Sequence, residues 1–222
     1  MTSHDSARAV RLAVVSAGLS EPSATRLLAD RLAEATRVAL RTDADVDTDV
    51  DVEVTTVELR DVATEIAHNF TTGFAGGSLR EAIGKVTEAD GLIAVTPVFS
   101  ASYSGLFKSF FDVLEKDALA GKPVLLGATG GTPRHSLVLE HAMRPLFSYL
   151  RAVAVPTAVY AATDDWAAPD DGVTPSLPRR IARAGGELAG LIAPRAATRD
   201  ARPEEPDVVP FAQQLAALRV ED

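Results

Sequence analysis

Short apolar runs of strand length recur along this chain, and the segments between them carry helical spacing. Residues 10–15, 52–59, 91–95, 123–128 and 153–160 read as strands. Between and after them, residues 24–40, 79–88, 104–115, 135–150 and 176–192 place apolar side chains three to four positions apart, as at Leu27, Leu28, Leu32, Ala35 and Leu40. Parallel neighbours in a sheet need crossover connections, and the helices are those crossovers. The pattern therefore predicts an α/β protein, a doubly wound five-stranded parallel sheet with helices on both faces.

One domain over residues 10–193 accounts for this pattern. Residues 1–9 are polar and read as a disordered N-terminus. Residues 42–51 alternate Asp with Ala, Val and Thr and read as an exposed connection, and residues 60–68 as a short helix. Residues 69–78, with Gly73, Gly76 and Gly77, read as a flexible loop long enough to reach across a ligand site. Residues 194–222 form a tail rich in Pro, Arg and acidic residues, with a helical pattern over 208–220 suited to packing on a partner subunit.

A formal net charge of −9 without clustered Lys and Arg argues against a nucleic-acid binder. The absence of cysteine excludes disulfides, thiolate metal sites and thiol nucleophiles, so any redox chemistry must come from a cofactor. The N-terminal residues lack a signal-peptide apolar stretch and no run of about twenty apolar residues occurs, which places the chain in the cytoplasm.

Ligands of open parallel sheets bind beyond the carboxyl ends of the strands. Three loops there are distinctive. Residues 16–26 (Ser-Ala-Gly-Leu-Ser-Glu-Pro-Ser-Ala-Thr-Arg) bring hydroxyls, one guanidinium and backbone amides to a helix start, a combination suited to a phosphate monoester. Simple N-capping by Ser20 or Ser23 is the alternative. No dinucleotide Gly-x-Gly-x-x-Gly and no triphosphate P-loop is present. Residues 96–105 (Thr-Pro-Val-Phe-Ser-Ala-Ser-Tyr-Ser-Gly) offer an apolar wall with small polar groups, as a flat heterocycle requires, or else a turn with a cap at Ser102 or Ser104. In residues 128–135 (Ala-Thr-Gly-Gly-Thr-Pro-Arg-His) paired glycines let backbone approach a ligand closely, although a plain β-to-α turn uses the same residues.

Together with Met143-Arg144-Pro145-Leu146 downstream, these loops make the chain resemble the NADPH-dependent FMN reductases, especially those that supply reduced flavin to two-component monooxygenases. The resemblance spans residues 10–160. It implies a flavodoxin-like fold with strand order 2-1-3-4-5, FMN and NAD(P)H as cofactor and substrate, and a homodimer or homotetramer. It also implies hydride transfer from nicotinamide to flavin with no side-chain acid or base. By the same resemblance Ser16, Leu19, Ser20, Ser23, Thr25 and Arg26 hold the FMN, chiefly at its phosphate. Pro97, Val98, Phe99 and Ser100 line the ring, and Thr129, Gly130 and Gly131 meet its pyrimidine edge. Two positions depart from the family. Relatives often carry a basic residue where this chain has Ser100, and sulfonate-utilisation reductases often carry Tyr where it has His141.

Other residues read as structural. His135 and His141 are six apart and do not share a helix face. Asp164, Asp165, Asp170 and Asp171 around Trp166 read as solvated, and Lys108 with Asp112 as a surface pair. Phe107, Phe110 and Phe111 suit either a core or a subunit interface, and Arg26 and Arg134 are candidates for the 2′-phosphate of NADPH. Rival activities on the same fold are a quinone, azo-dye or metal-ion reductase and a non-enzymatic flavin carrier or sensor. A carrier usually clamps its ring between aromatics, of which these loops hold only Phe99 and Tyr103.

Overall fold

The computed structural model describes residues 9–42, 51–167 and 175–200, with side chains as far as Pro194. In chain order the elements are β1 (Val10–Ser16), α1 (Ala24–Thr42), β2 (Val52–Glu58), α2 (Ala63–Thr72), α3 (Gly77–Glu88), β3 (Gly91–Phe99), β4 (Ser102–Tyr103), α4 (Gly105–Asp112), β5 (Pro123–Gly130), α5 (Arg144–Tyr149), β6 (Val153–Ala154), β7 (Val159–Ala162) and α6 (Leu177–Asp200). The predicted pattern of strands and crossovers becomes a sheet ordered β2-β1-β3-β5-β6, with β7 also parallel to β5. Counting β6 and β7 as one interrupted strand, this is the flavodoxin-like order 2-1-3-4-5.

The interruption has a chemical cause. Pro156 has no N–H for a ladder bond, so the segment predicted as one strand over 153–160 parts there. Val155 still donates to the Val124 carbonyl at 2.9 Å, but the Thr157 N–H turns to the Glu187 carboxylate on α6 at 2.7 Å. Arg144 on α5 donates to the carbonyls of Val155 and Pro156, each at 3.1 Å. Side chains thus replace the missing ladder.

Both faces of the sheet are covered. On one, Leu12, Val14, Ile93, Val95 and Leu125 pack under α1 and α6. These two helices approach closely at Gly185, where any Cβ would lie 2.8 Å from Ala35. On the other face Phe107, Phe110, Phe111 and Phe147 form a ring cluster with centroids 4.8 Å apart for Phe107–Phe111 and 4.9 Å for Phe111–Phe147. All four rings are buried, which assigns the phenylalanines of α4 to the core rather than to an interface.

Three predicted segments differ in form. Residues 135–150 are not one helix: a 3-10 turn at Pro133–His135 and a π-helical turn at Leu139–Met143 precede α5. Pro145 has no N–H to return to the His141 carbonyl, so a regular α-helical ladder fails there. After β3 the chain makes a hairpin into β4 through Ser100 and Ala101, both left-handed at φ 48° and 68°, the pattern of a type I′ turn. Helix α6, predicted over 176–192, continues through Pro194 to Asp200. The expected N-terminus, most of the acidic connection and the helical pattern at 208–220 lie outside the described residues.

Candidate functional site

Parallel register brings the strand ends level. Pro97 on β3 pairs with Thr129 on β5, and Thr129 pairs with Ala161 on β7. Beyond this row the following segments diverge, and a cavity of about 390 Å³ opens between them and the start of α1. Ten of the thirteen residues singled out in the sequence line it: Leu19, Ser20, Ser23 and Thr25, then Pro97, Val98 and Phe99, then Thr129, Gly130 and Gly131.

The first wall is the loop into α1. Ser23 caps the helix, its Oγ accepting from the Arg26 N–H at 3.2 Å, so the capping alternative describes this hydroxyl's present bond. A Cβ on Gly18 would collide with the same Oγ, which is why the loop can fold onto its cap only with glycine there. Thr25 reaches across to Thr129, their Oγ1 atoms 2.8 Å apart and both residues buried, and this bond ties the first loop to the third.

Ser16 lies beneath the cavity wall. Strand alternation turns its side chain to the face shared by Leu12 and Val14, under α1. The residue is fully buried, and among the described residues its Oγ meets no hydrogen-bond partner. Leaving a buried hydroxyl unpaired costs about 1–3 kcal/mol.

Besides Ser16, two predicted residues are absent from the cavity lining. The Arg26 guanidinium points along α1 to Asp30 at 2.7 Å and to Glu58 at the end of β2. Its pKa is held above the ordinary arginine value, first by the hydrogen bond to Asp30 and then by Glu58, against the cost of burial. Ser100 sits exposed at the tip of the β3–β4 hairpin. The glycine loop before α3 is also absent from the lining: Glu65 accepts from Ser78 and from the Leu79 N–H at 2.8 Å, stitching α2 to α3 instead.

The third loop rests on a residue that sequence reasoning passed over. Tyr160 donates its hydroxyl to the Thr132 carbonyl at 2.8 Å, and a Cβ on Gly130 would land on that hydroxyl. Burial, assisted by the charge of Asp165, raises the Tyr160 pKa and keeps the phenol a donor. A fourth wall was missed entirely: Ala161 near the end of β7, with Thr163 and Trp166 after it, lines the cavity. Asp165 is half-buried and engaged, accepting from the Ala162 N–H at 2.7 Å and from Arg180 at 2.6 Å, and Arg31 stacks over Trp166 at 5.1 Å. The clue was the position of the single tryptophan just past the last strand, where ligand-binding loops emerge. Among the described residues no charged side chain lines the cavity. His141 lies elsewhere, in a groove with Tyr103, Lys108 and Tyr149.

An open parallel sheet with a hydroxyl-rich helix start, an apolar wall and a glycine edge around one cavity defines a flavodoxin-like protein with a mononucleotide-sized site. Residues 10–167 match the family model of NADPH-dependent FMN reductases, and the chain belongs to that family. It is 36% identical over 156 residues to FMN reductase (NADPH) of Pseudomonas aeruginosa, covering 70% of this chain and 78% of that protein. It is 33% identical over 155 residues to the NADH-dependent FMN reductase SfnF of Pseudomonas putida, covering 70% and 78%. Among solved structures, an oxidoreductase from Corynebacterium diphtheriae superposes with a TM-score of 0.78 at 46% identity, covering 84% of this chain and 98% of that one.

Proposed function

We propose that this protein is an NAD(P)H-dependent FMN reductase whose cavity beyond β1, β3 and β5 holds the flavin. The observation that carries the reading is the convergence of three separate loops on one cavity, and the unpaired, buried Ser16 Oγ at the end of β1 supports it. The donor set fits FMN. Ser16, Ser20 and Thr25 with the first amides of α1 hold the phosphate through hydrogen bonds and the helix dipole, with Ser23 keeping those amides in place and Leu19 covering them. Pro97, Val98 and Phe99 cover the ring, and the backbone of Thr129, Gly130 and Gly131 meets its polar edge.

Bound FMN supplies the two-electron chemistry, accepting a hydride from NAD(P)H. The chain's residues position the ring and exclude water from one face, and the uncharged lining leaves proton supply to solvent at the open mouth. At that mouth Leu19 is 54% and Phe99 47% exposed, which suits an accessible ring and exchange of reduced flavin with a partner such as a flavin-dependent monooxygenase. A cytoplasmic setting accords with this role, and among the described residues no helix is long and apolar enough to cross a membrane.

For the homodimer or homotetramer the buried phenylalanines are replaced as the interface by the groove of about 730 Å³ bearing Tyr103, Leu146 and the 78% exposed Tyr149. Light scattering on the wild-type protein and on Tyr149→Glu tests this, a monomer in both cases contradicting it. The function itself is tested by following nicotinamide oxidation with and without added FMN. FMN-dependent turnover is expected; bound flavin with no oxidation would point to a carrier, and turnover far faster with quinone or azo dye than with FMN would point to those acceptors.

A further inference from the structure

Relatives of this chain are named for either nicotinamide, so similarity leaves the choice between NADH and NADPH open. The two differ by one phosphate on the adenosine ribose, and discriminating them requires a cation with donors to spare near the flavin site. The segments that frame the cavity, residues 16–26, 97–104, 129–136 and 161–167, contain two arginines. Arg26 is engaged by Asp30 and Glu58. The cations packed behind the walls are engaged as well: Arg31 by Trp166, Arg60 by Glu21 and Glu58, and Arg180 by Asp165 and the Tyr160 carbonyl.

Arg134 differs from all of these. It is exposed, and among the described residues no hydrogen bond or ion pair occupies its guanidinium. It stands on a fixed base. Pro133 opens the 3-10 turn, the Ser136 N–H donates to the Pro133 carbonyl at 3.1 Å, and Tyr160 anchors the Thr132 carbonyl at 2.8 Å. The turn follows directly on Gly131 at the cavity edge, with the side chains of Thr132, His135 and Ser136 exposed beside Arg134. In a chain of net charge −9, this is a cation, unpaired among the described residues, on a turn that follows directly on the cavity edge, where no described lining residue is charged.

We infer that Arg134 is the specificity residue for the nicotinamide, pairing with the 2′-phosphate of NADPH and making NADPH the preferred reductant. The inference rests on the flavin reductase reading and assigns that site its second substrate. A guanidinium can take two phosphate oxygens at once, whereas an exposed pair is screened by salt, so the preference falls as ionic strength rises.

The test uses the full chain and two probes that need no turnover, adenosine 2′,5′-bisphosphate and 5′-AMP, measured by calorimetry on wild-type protein, Arg134→Ala and Arg134→Lys. Wild type is expected to bind the bisphosphate about tenfold tighter than 5′-AMP, Arg134→Ala to lose that margin with 5′-AMP binding unchanged, and Arg134→Lys to keep part of it. The kcat/KM ratio of NADPH to NADH is expected to fall about tenfold in Arg134→Ala through the NADPH value alone. Equal binding of the two probes by wild type, or an equal loss for both in Arg134→Ala, overturns the inference. FMN reduction driven by NADH in every variant separates that result from failure of the flavin reductase reading, which would abolish turnover with both nicotinamides.

Discussion

The centre of the sheet and its far edge are built on different principles. Strands β1, β3 and β5 are buried along nearly their whole length, joined by continuous parallel register, and deliver the three loops of the cavity. At the far edge two short strands share one position, each pairing with β5 over only a few residues, and side chains supplement that pairing: Arg144, Glu187, Arg180 and Asp165 hold backbone groups that the ladder leaves over. The centre depends on area removed from water, while the edge, although β7 is buried, relies in addition on a few directional bonds. Damage to the first should therefore be global, and damage to the second local.

The largest expected effect is at the centre. Phe107→Ala opens a hole in the ring cluster and should cost about 3–5 kcal/mol, read as a lowered denaturant midpoint with every probe falling together. At the edge, Glu187→Ala leaves the Thr157 N–H and hydroxyl without their acceptor, a loss of about 1–3 kcal/mol, while Glu187→Gln retains one acceptor oxygen and loses less. Hydrogen exchange should then accelerate over residues 155–160 and leave β1 and β3 protected; equal acceleration everywhere would erase the distinction. Arg180→Ala releases Asp165 and the Tyr160 carbonyl at a cost of about 1 kcal/mol or less, and should shift Trp166 emission more than it shifts the unfolding midpoint.

Smallest of all is a pH effect. Hydrogen bonds from Ser78 and the Leu79 N–H hold the Glu65 carboxyl below the usual carboxylate range. A depressed folded-state pKa gives stability that is present above the unfolded pKa and lost as pH falls through the folded one. Wild type should thus lose a little more Tm between neutral and acid pH than Glu65→Gln, and identical pH profiles would show that this exposed contact contributes nothing.

The same contrast explains what the sequence disclosed. Apolar runs such as residues 91–95 and 123–128 announce buried strands because burial on both faces leaves no polar alternation, and the helical stripe of α1 is equally explicit. The three loops were legible because each follows such a run. Pairings set by tertiary approach were not. Arg26 and Asp30 stand four apart on α1, but nothing in the order of residues says that Arg26 also meets Glu58, that Tyr160 props the third loop, or that Trp166 closes a fourth wall. The broken strand was announced by Pro156, but its repair by Glu187 and Arg144 depends on helices far along the chain.

The measurement that bears most directly on the site is a titration of the protein with FMN and, separately, with riboflavin, followed through the emission of Trp166, the only tryptophan in the chain. Because Trp166 lines the cavity and the first loop is assigned to the phosphate, FMN should quench it saturably and riboflavin should bind at least about tenfold more weakly. Equal affinity for the two flavins would contradict the assignment of the first loop, and folded protein whose Trp166 emission is unmoved by FMN would contradict the site itself.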